Sequence, residues 1–195
     1  GHGVFAYPSS DTTPDIWMLG SSDYGAQLAA HLGLPYAFAY FITEGQGLET
    51  ALDLYRQNFR PTEQRPQAHA TVCVWALAAD TEEQAWHLFK SRARWRMDRN
   101  LGRIGPVLPP DQAERDYSPA EQLALAQLKA NALVGSGPQV ANKLRALAQR
   151  MDIDEVVVIT WTHDPVHQRR SYELLAQEFA WGQQASSRQL EPALN

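Results

Sequence analysis

The chain has 195 residues, a formal net charge of −5 and 44% hydrophobic residues, a composition typical of a folded globular protein and not of a disordered one. Lys and Arg number 17 against 22 Asp and Glu and form no dense basic stretch, which argues against a nucleic-acid partner. The longest apolar run, at 70–79, is well short of the roughly 18 residues that a membrane span requires, and Cys73, the single cysteine, indicates a reducing, cytoplasmic compartment.

The composition divides the chain into three parts. Residues 1–13 begin with Gly1-His2, which is typical of a cleavage remnant, and continue as a polar linker. Residues 14–181 carry the hydrophobic patterning of a folded domain. Residues 182–195 are predicted to be a loose polar tail.

Within the domain, short apolar runs alternate with segments whose apolar residues recur at helical spacing. The apolar runs predict four strands, at 16–19, 35–41, 69–79 and 155–161. The periodic segments predict helices at 23–32, 48–59, 80–97, 118–132, 136–151 and 164–179. Residues 100–117 are rich in Gly and Pro and lack periodicity, which is typical of a functional or disordered loop.

Strands that alternate with helices predict an α/β fold with a parallel sheet. Four strands are half of an eight-stranded barrel or most of an open sheet, and the pattern alone leaves both open. In either fold, ligands bind at the carboxyl ends of the strands, in the loops that lead to the helices. Functional residues are therefore expected in those loops.

The loop after the first strand, Gly20-Ser21-Ser22, has the composition of an anion site. Small residues let an anion approach the backbone, hydroxyls donate hydrogen bonds, and a helix N-terminus offers free N–H groups. Phosphate is the obvious anion. The alternative is that Ser22 or Asp23 only caps the following helix, and the spacing by itself favours that plainer role.

Other residues near strand ends are weaker candidates. His163 follows the last strand and could donate a proton, whereas a metal site shared with His167 is disfavoured because Pro165 interrupts the helix between them. Tyr40 lies near the end of the second strand, where a flat ring could stack on it. Cys73 lies in mid-strand and is expected to be an inert buried thiol.

Six segments, taken together and in order, carry a family resemblance. They are 14–22 (PDIWMLGSS), 24–30 (YGAQLAA), 33–39 (GLPYAFA), 78–83 (AADTEE), 134–136 (VGS) and 170–176 (RSYELLA). This ordered set resembles the C-terminal half of the bacterial luciferase-like flavin-dependent monooxygenases and spans nearly the whole chain.

The resemblance implies a (β/α)8 TIM barrel of which this chain supplies the C-terminal half, about four parallel strands with their flanking helices. It implies that reduced FMN, or a deazaflavin in one branch of the family, activates dioxygen to oxidise a substrate. Ser21 and Ser22 would contact the flavin phosphate, with backbone N–H groups near Tyr24 and Gly25, and Tyr40 would lie beside the flavin.

The resemblance also implies what the intact protein does. It would insert one oxygen atom into a small organic substrate, and a separate flavin reductase would supply the reduced flavin. The chain alone is expected to have little activity, since the half that supplies much of the flavin pocket and several catalytic groups is absent. The unpaired strand edges of a half barrel predict a homo-oligomer.

Two positions depart from the family pattern and support an alternative. Gly25 stands where many relatives carry Ser or Thr, and Tyr40 replaces a position that is often His. The alternative is a non-catalytic flavin-binding or assembly protein that uses the same half-fold. A third hypothesis, a free-standing open-sheet domain with an unrelated phosphate ligand, leaves the ordered segments unexplained. The sequence does not identify the substrate.

Overall fold

The computed structural model describes residues 14–180; the predicted remnant, linker and polar tail lie outside the described residues. The strands are β1 (Met18–Gly20), β2 (Tyr36–Ala39), β3 (Ala70–Ala79), β4 (Leu133–Ser136) and β5 (Val156–Ile159). The helices are α1 (Asp23–Leu32), α2 (Tyr40–Thr43), α3 (Leu48–Asn58), α4 (Glu82–Asn100), α5 (Pro110–Ala113), α6 (Pro119–Ala130), α7 (Gly137–Met151) and α8 (Pro165–Glu178).

The strands form one parallel sheet centred on β3. β1 pairs with β2, and β2 pairs with the first residues of β3. β5 pairs with β3 from Val72 to Trp75, and β4 pairs with β3 from Ala76 to Ala79. β3 therefore contacts three strands, and its nearly continuous apolar sequence suits burial on both faces. The predicted α/β fold with a parallel sheet is confirmed.

The sequence pattern predicts four strands and misses β4. Its residues Leu133–Ser136 include Gly135 and Ser136, which have weak strand propensity, so the local sequence favours a turn. Pairing with the second half of β3 makes the segment extended. A contact between residues distant in the chain thus overrides local preference.

Two other boundaries differ from the prediction. The sequence pattern places Tyr40 and Phe41 in the second strand, but β2 ends at Ala39 and both residues belong to the helical turn α2. The loop predicted at 100–117 contains one short helix, α5, which begins at Pro110 because proline suits the first turn of a helix.

The two faces of the sheet carry separate hydrophobic clusters, because side chains alternate along each strand. On the outer face, Val72 and Val74 of β3 pack with the buried residues of α1, α3, α7 and α8. On the inner face, Trp75 and Leu77 pack with α4 and α6. The helices that follow β1 and β2 therefore lie on one side of the sheet, and α4 crosses to the other.

Side chains at the helix starts explain where the helices begin. Ser118 and Glu121 form a reciprocal capping box at the start of α6. At the start of α4, Thr81 is the N-cap residue, and its Oγ1 accepts the Gln84 N–H at 3.1 Å. Asp80 instead pairs with Arg170 of α8 at 2.6 Å, which ties the end of β3 to that helix.

Candidate active site

The carboxyl end of β1 leads into α1 through Ser21 and Ser22. Ser22 is the N-cap residue of α1, and its Oγ accepts a hydrogen bond from the Gly25 N–H at 3.3 Å. The capping role considered for Ser22 is therefore present. Because the side chain is exposed and a hydroxyl can donate while it accepts, the same group remains free to bond an anion.

The first turn of α1 adds backbone donors and one opposing charge. The leading N–H groups of a helix have no partner within the helix, and the helix dipole favours an anion there. The carboxylate of Asp23 lies in the same turn and disfavours an anion, although it is exposed to solvent, which weakens the repulsion. The turn therefore combines hydroxyl and backbone donors with a screened negative charge.

Tyr36 fixes this turn to the neighbouring strand. Its hydroxyl donates a hydrogen bond to the carbonyl oxygen of Gly20 at 3.1 Å, and the residue is fully buried. Burial, reinforced by the charge of Asp23, raises the pKa of Tyr36 to about 12. The hydroxyl therefore remains a hydrogen-bond donor at any physiological pH and holds the carboxyl end of β1 in place.

Gly20 and Gly25 keep the backbone of the turn open. A Cβ at Gly20 would lie 3.8 Å from the Cα of Gly25, and a Cβ at Gly25 would lie 3.7 Å from Ser22 Oγ. Both distances are ordinary van der Waals contacts, so a small side chain fits at either position. Without side chains, the N–H groups of the turn are accessible to a ligand.

The backbone of Tyr24 belongs to this turn, whereas its side chain lines a neighbouring groove. The residue is 74% exposed and lines a groove of about 330 Å³. Polar residues of α1 and of the chain at the end of α3 complete the groove: Gln27, His31, Asn58 and Arg60.

Tyr40 lies in the turn after β2 and packs against the outer-face cluster. Its ring contacts Gly45 so closely that a Cβ there would come within 2.3 Å of the ring, and Gly45 has a φ of +86°. Burial raises the pKa of Tyr40. The residue lines a largely polar cavity of about 690 Å³ that also includes Arg96 and Arg150.

His163 lies in the loop between β5 and α8. Its Nδ1 is 2.9 Å from the carbonyl oxygen of Val107, so the histidine anchors the 100–117 segment. It lines a third cavity, of about 260 Å³, together with His87 and His167. The structure thus gathers Ser21, Ser22 and Gly25 at one turn, whereas Tyr24, Tyr40 and His163 line three separate cavities.

The inner face holds a buried cation that the sequence-based predictions missed. Arg92 of α4 is 2% exposed, and its Nη2 lies 2.7 Å from Glu44 Oε1. Its guanidinium stacks over Trp75 at 4.3 Å and over Trp161 at 5.0 Å from the ring centroids. The sequence held a signal for it, since Arg92 is spaced three residues after Phe89, on the apolar stripe of α4.

Burial controls the charge state of this pair. It lowers the pKa of Arg92 to about 10, which leaves the guanidinium charged at neutral pH. It raises the pKa of Glu44, although Arg92 and Arg96 both act to lower it. Within the described part of the chain, two buried donors of this cluster, Arg92 Nη1 and Trp75 Nε1, have no hydrogen-bond partner.

Residues 14–180 contain neither a metal-binding cluster nor a membrane-spanning helix. In that range no three His, Cys, Asp or Glu side chains are arranged to hold a metal ion. None of the helices in the same range combines the length and the apolar character that crossing a membrane requires.

Comparison with known protein sequences gives consistent matches. A family model described as luciferase-like monooxygenase matches residues 2–154. YwcH, an uncharacterized protein of Bacillus subtilis, is 37% identical over 177 residues, which are 90% of this chain and 53% of that protein. A luciferase-like monooxygenase of Escherichia coli K12 is 38% identical over 160 residues, 82% of this chain and 48% of that protein. The chain therefore spans about half the length of these relatives.

Solved structures share the fold. The crystal structure of apo-MsnO8 superposes with a TM-score of 0.79 at 29% identity, covering 92% of this chain and 55% of that one. The oxygenating constituent of 3,6-diketocamphane monooxygenase from Pseudomonas putida, solved in complex with FMN, superposes with a TM-score of 0.55. At 21% identity, with 85% of this chain and 48% of that chain covered, the second likeness concerns the fold alone.

Proposed function

The chain belongs to the luciferase-like monooxygenase family, and on this premise we propose that it is the C-terminal half of a flavin-dependent monooxygenase. The intact enzyme would insert one oxygen atom from dioxygen into a small organic substrate, using reduced FMN. The chain spans about half of its relatives, so this activity is proposed for the complete barrel, and the half alone is expected to be nearly inactive.

The turn between β1 and α1 is the observation that carries the proposal. It presents the Ser21 and Ser22 hydroxyls and the backbone N–H groups that begin α1 near Tyr24 and Gly25, of which the Gly25 N–H already bonds Ser22 Oγ, at the carboxyl end of a parallel strand. A phosphate ester accepts hydrogen bonds from hydroxyls and from the N–H groups at a helix N-terminus. The donor set therefore fits the phosphate of FMN, and bound FMN would supply the redox chemistry with dioxygen.

Other parts of the proposal rest on family membership. FMN is the flavin proposed for this chain, and the camphane enzyme, which shares the fold, was solved with FMN. A flavin reductase would supply the reduced flavin, the compartment would be the cytoplasm, and the folded unit would run from residue 14 to 181. His163 remains a weak candidate for a proton donor, since its ring also anchors Val107.

A non-catalytic flavin-binding or assembly role is the second candidate. The placement of Tyr40 favours it, because that ring packs against the outer-face cluster, whereas Phe41 packs against the inner-face cluster. A flavin ring held on the inner face would therefore not touch Tyr40. The proposed contact between Tyr40 and the flavin is accordingly the weakest of the site assignments.

Matched titrations of FMN and riboflavin test the proposal, because the two ligands differ only in the phosphate. We expect this chain to quench FMN fluorescence with at least about tenfold higher affinity than riboflavin, since the phosphate turn lies wholly within it. The Ser21→Ala/Ser22→Ala variant should lose that preference, and Thr50→Ala, which removes an exposed hydroxyl from α3, is the matched control. Equal affinity for both flavins, or a preference that survives in the double variant, would overturn the phosphate assignment.

A chimera separates the two candidate functions, with the complete Escherichia coli relative as the reference for oxygen consumption with photoreduced FMN. In the chimera, this chain replaces the C-terminal half of that relative. Substrate-dependent oxygen consumption by the chimera would support the monooxygenase, whereas tight FMN binding by the chimera without it would favour the flavin-binding role.

A further inference from the structure

A cavity of about 810 Å³ lies between α4 and α6, and Ala113 of α5 and Tyr117 line it as well. All of its lining residues fall within 83–130, a stretch in the middle of the chain. The cavity therefore shares no residue with the β1–α1 turn. Its volume falls within the roughly 300–1,000 Å³ that is typical of small-molecule sites.

The wall of this cavity is mostly apolar and rich in rings. Trp86 and Phe89 of α4 pack edge to face, with their ring centroids 5.4 Å apart, and Tyr117 adds a third ring to the lining. Leu125 and Ala126 form part of the wall that α6 contributes. Aromatic rings pack well against other rings, so such a wall favours a flat, apolar ligand.

The way in which α6 is attached explains why the cavity stays open. Within α6, all of whose residues the structure describes, Leu128 alone is buried. Arg115 fixes the start of the helix, because it forms ion pairs with Glu121 of α6 and with Asp98 of α4. Farther along, Ala126 lines the cavity and remains exposed. The two helices are therefore held together at one end of α6 and leave space between them beyond it.

Two acidic and two basic side chains of the lining balance one another in charge. Lys90 forms an ion pair with Glu114 at 2.9 Å. Glu83 and Lys129 are exposed to solvent and contribute one charge of each sign. His87 also lines the cavity and lies 3.6 Å from an aspartate of α5. The lining therefore offers no net electrostatic attraction to an acid or to an amine.

We propose that this cavity binds an uncharged aromatic molecule. The rings of the wall supply the packing contacts, and the balanced charges of the lining select against ionised ligands. A charged group would lose its hydration against the apolar wall without gaining a counterion, and an uncharged ligand avoids that cost. None of these observations involves the flavin site, so the inference does not rest on the proposed function.

Three ligands of similar shape test the preference, since cinnamamide is uncharged, cinnamate is an anion and cinnamylammonium is a cation at neutral pH. Calorimetric titration of the full chain should show that cinnamamide binds at least about tenfold more tightly than either charged ligand. No binding of cinnamamide, or a charged ligand that binds as tightly as cinnamamide, would overturn the proposal.

Variants that fill the cavity test its position. Ala126→Trp and Ala130→Trp each place a large ring at an exposed position of the lining and should weaken cinnamamide binding by at least about tenfold. Leu123→Trp, on the same helix at a site that is 64% exposed and outside the lining, should bind like the wild type. Circular dichroism would verify that each variant folds. Unchanged binding in both cavity variants, or an equal loss in Leu123→Trp, would contradict the assignment.

A competition experiment separates this cavity from the proposed flavin site. Saturating FMN should leave the affinity for cinnamamide unchanged, and the Ser21→Ala/Ser22→Ala variant should bind cinnamamide like the wild type. Displacement of cinnamamide by FMN, or loss of its binding in that variant, would place the ligand at the flavin site and overturn the proposal. A failure of FMN to bind, with cinnamamide binding intact, would count only against the phosphate site.

Discussion

Arg92 and Glu44 form a buried ion pair, with 2.7 Å between the guanidinium and the carboxylate, that joins α4 to the turn after β2. Removing one member of such a pair leaves the other charge buried without a counterion. Glu44→Gln should therefore lower the free energy of unfolding by about 3 kcal/mol, measured by urea denaturation.

A more exposed pair provides the control for this prediction. Arg150 and Glu49 are 3.7 Å apart and 62% and 73% exposed. Arg150→Gln should therefore cost less than about 1 kcal/mol. The double variant Glu44→Gln/Arg92→Met should cost less than the sum of the single changes, since neither charge then remains. Equal losses in Glu44→Gln and Arg150→Gln would contradict the assigned role.

Glu121 predicts a specific dependence of stability on pH. Hydrogen bonds from Arg115 and from the Ser118 N–H lower the pKa of this carboxyl from 4.5 to about 2. A carboxyl with a lowered pKa in the folded state stabilises the protein above its unfolded pKa, and this contribution is lost as the pH falls through the folded value. The stabilisation should therefore be complete above pH 4.5 and disappear toward pH 2.

Urea unfolding across that pH range checks the prediction. Glu121→Gln should be less stable than the wild type at neutral pH and should show a flatter decline between pH 4.5 and 2. Glu49→Gln removes a carboxylate from α3 and leaves the α6 capping box intact, so it is the matched control. Identical pH profiles for Glu121→Gln and the wild type would refute the coupling.

Gly25 offers a gain-of-function test of the proposed phosphate turn. A Cβ there would lie 3.7 Å from Ser22 Oγ, so serine fits without displacing the turn. Gly25→Ser should tighten FMN binding by restoring a hydroxyl donor and should raise helix stability by roughly 0.5 kcal/mol, since glycine is a poor helix former.

Gly25→Ala is the control for Gly25→Ser, because it supplies the helix propensity without the hydroxyl. The two variants should show similar stability in thermal unfolding. If Gly25→Ala tightened FMN binding as much as Gly25→Ser, the hydroxyl would not be the cause.

Cys73 reports on the inner face of the sheet. Burial, together with the charge of Glu155, raises the pKa of this thiol. Only the thiolate reacts with alkylating agents, so labelling at neutral pH should be at least about tenfold slower than for a free thiol and should accelerate as the pH rises.

Comparison with urea-unfolded protein isolates the effect of the fold on this labelling. The unfolded chain should react at the rate of free cysteine. Labelling of Cys73 at that rate in the native protein would show that its surroundings do not protect it.

Local sequence patterns predicted most of the helices and strands. The Ser118 and Ser136 capping boxes and the glycine that ends α1 mark helix termini through contacts within a few residues, so they are readable in the chain. The strand at Leu133–Ser136 was missed because only its pairing with β3 makes it extended.

The site was only partly predictable, because some of its contacts also join residues that are distant in the chain. Ser22 lies where a strand passes into a helix, and that junction is visible in sequence. The Arg92–Glu44 pair joins residues 48 positions apart. Whether Arg92 meets Glu44 depends on how α4 packs across the sheet, and no local sequence pattern predicts that packing.

The three strand partners of β3 also set the order in which the protein opens. Hydrogen bonds of β1 can break by local fraying, whereas Val72 and Cys73 of β3 pair with both β2 and β5 and are released only when both strands separate. Amide hydrogens of Val72 and Cys73 should therefore exchange with solvent at the rate of global unfolding. The slowest-exchanging amides of the chain would then mark β3 as the element on which the remaining strands assemble.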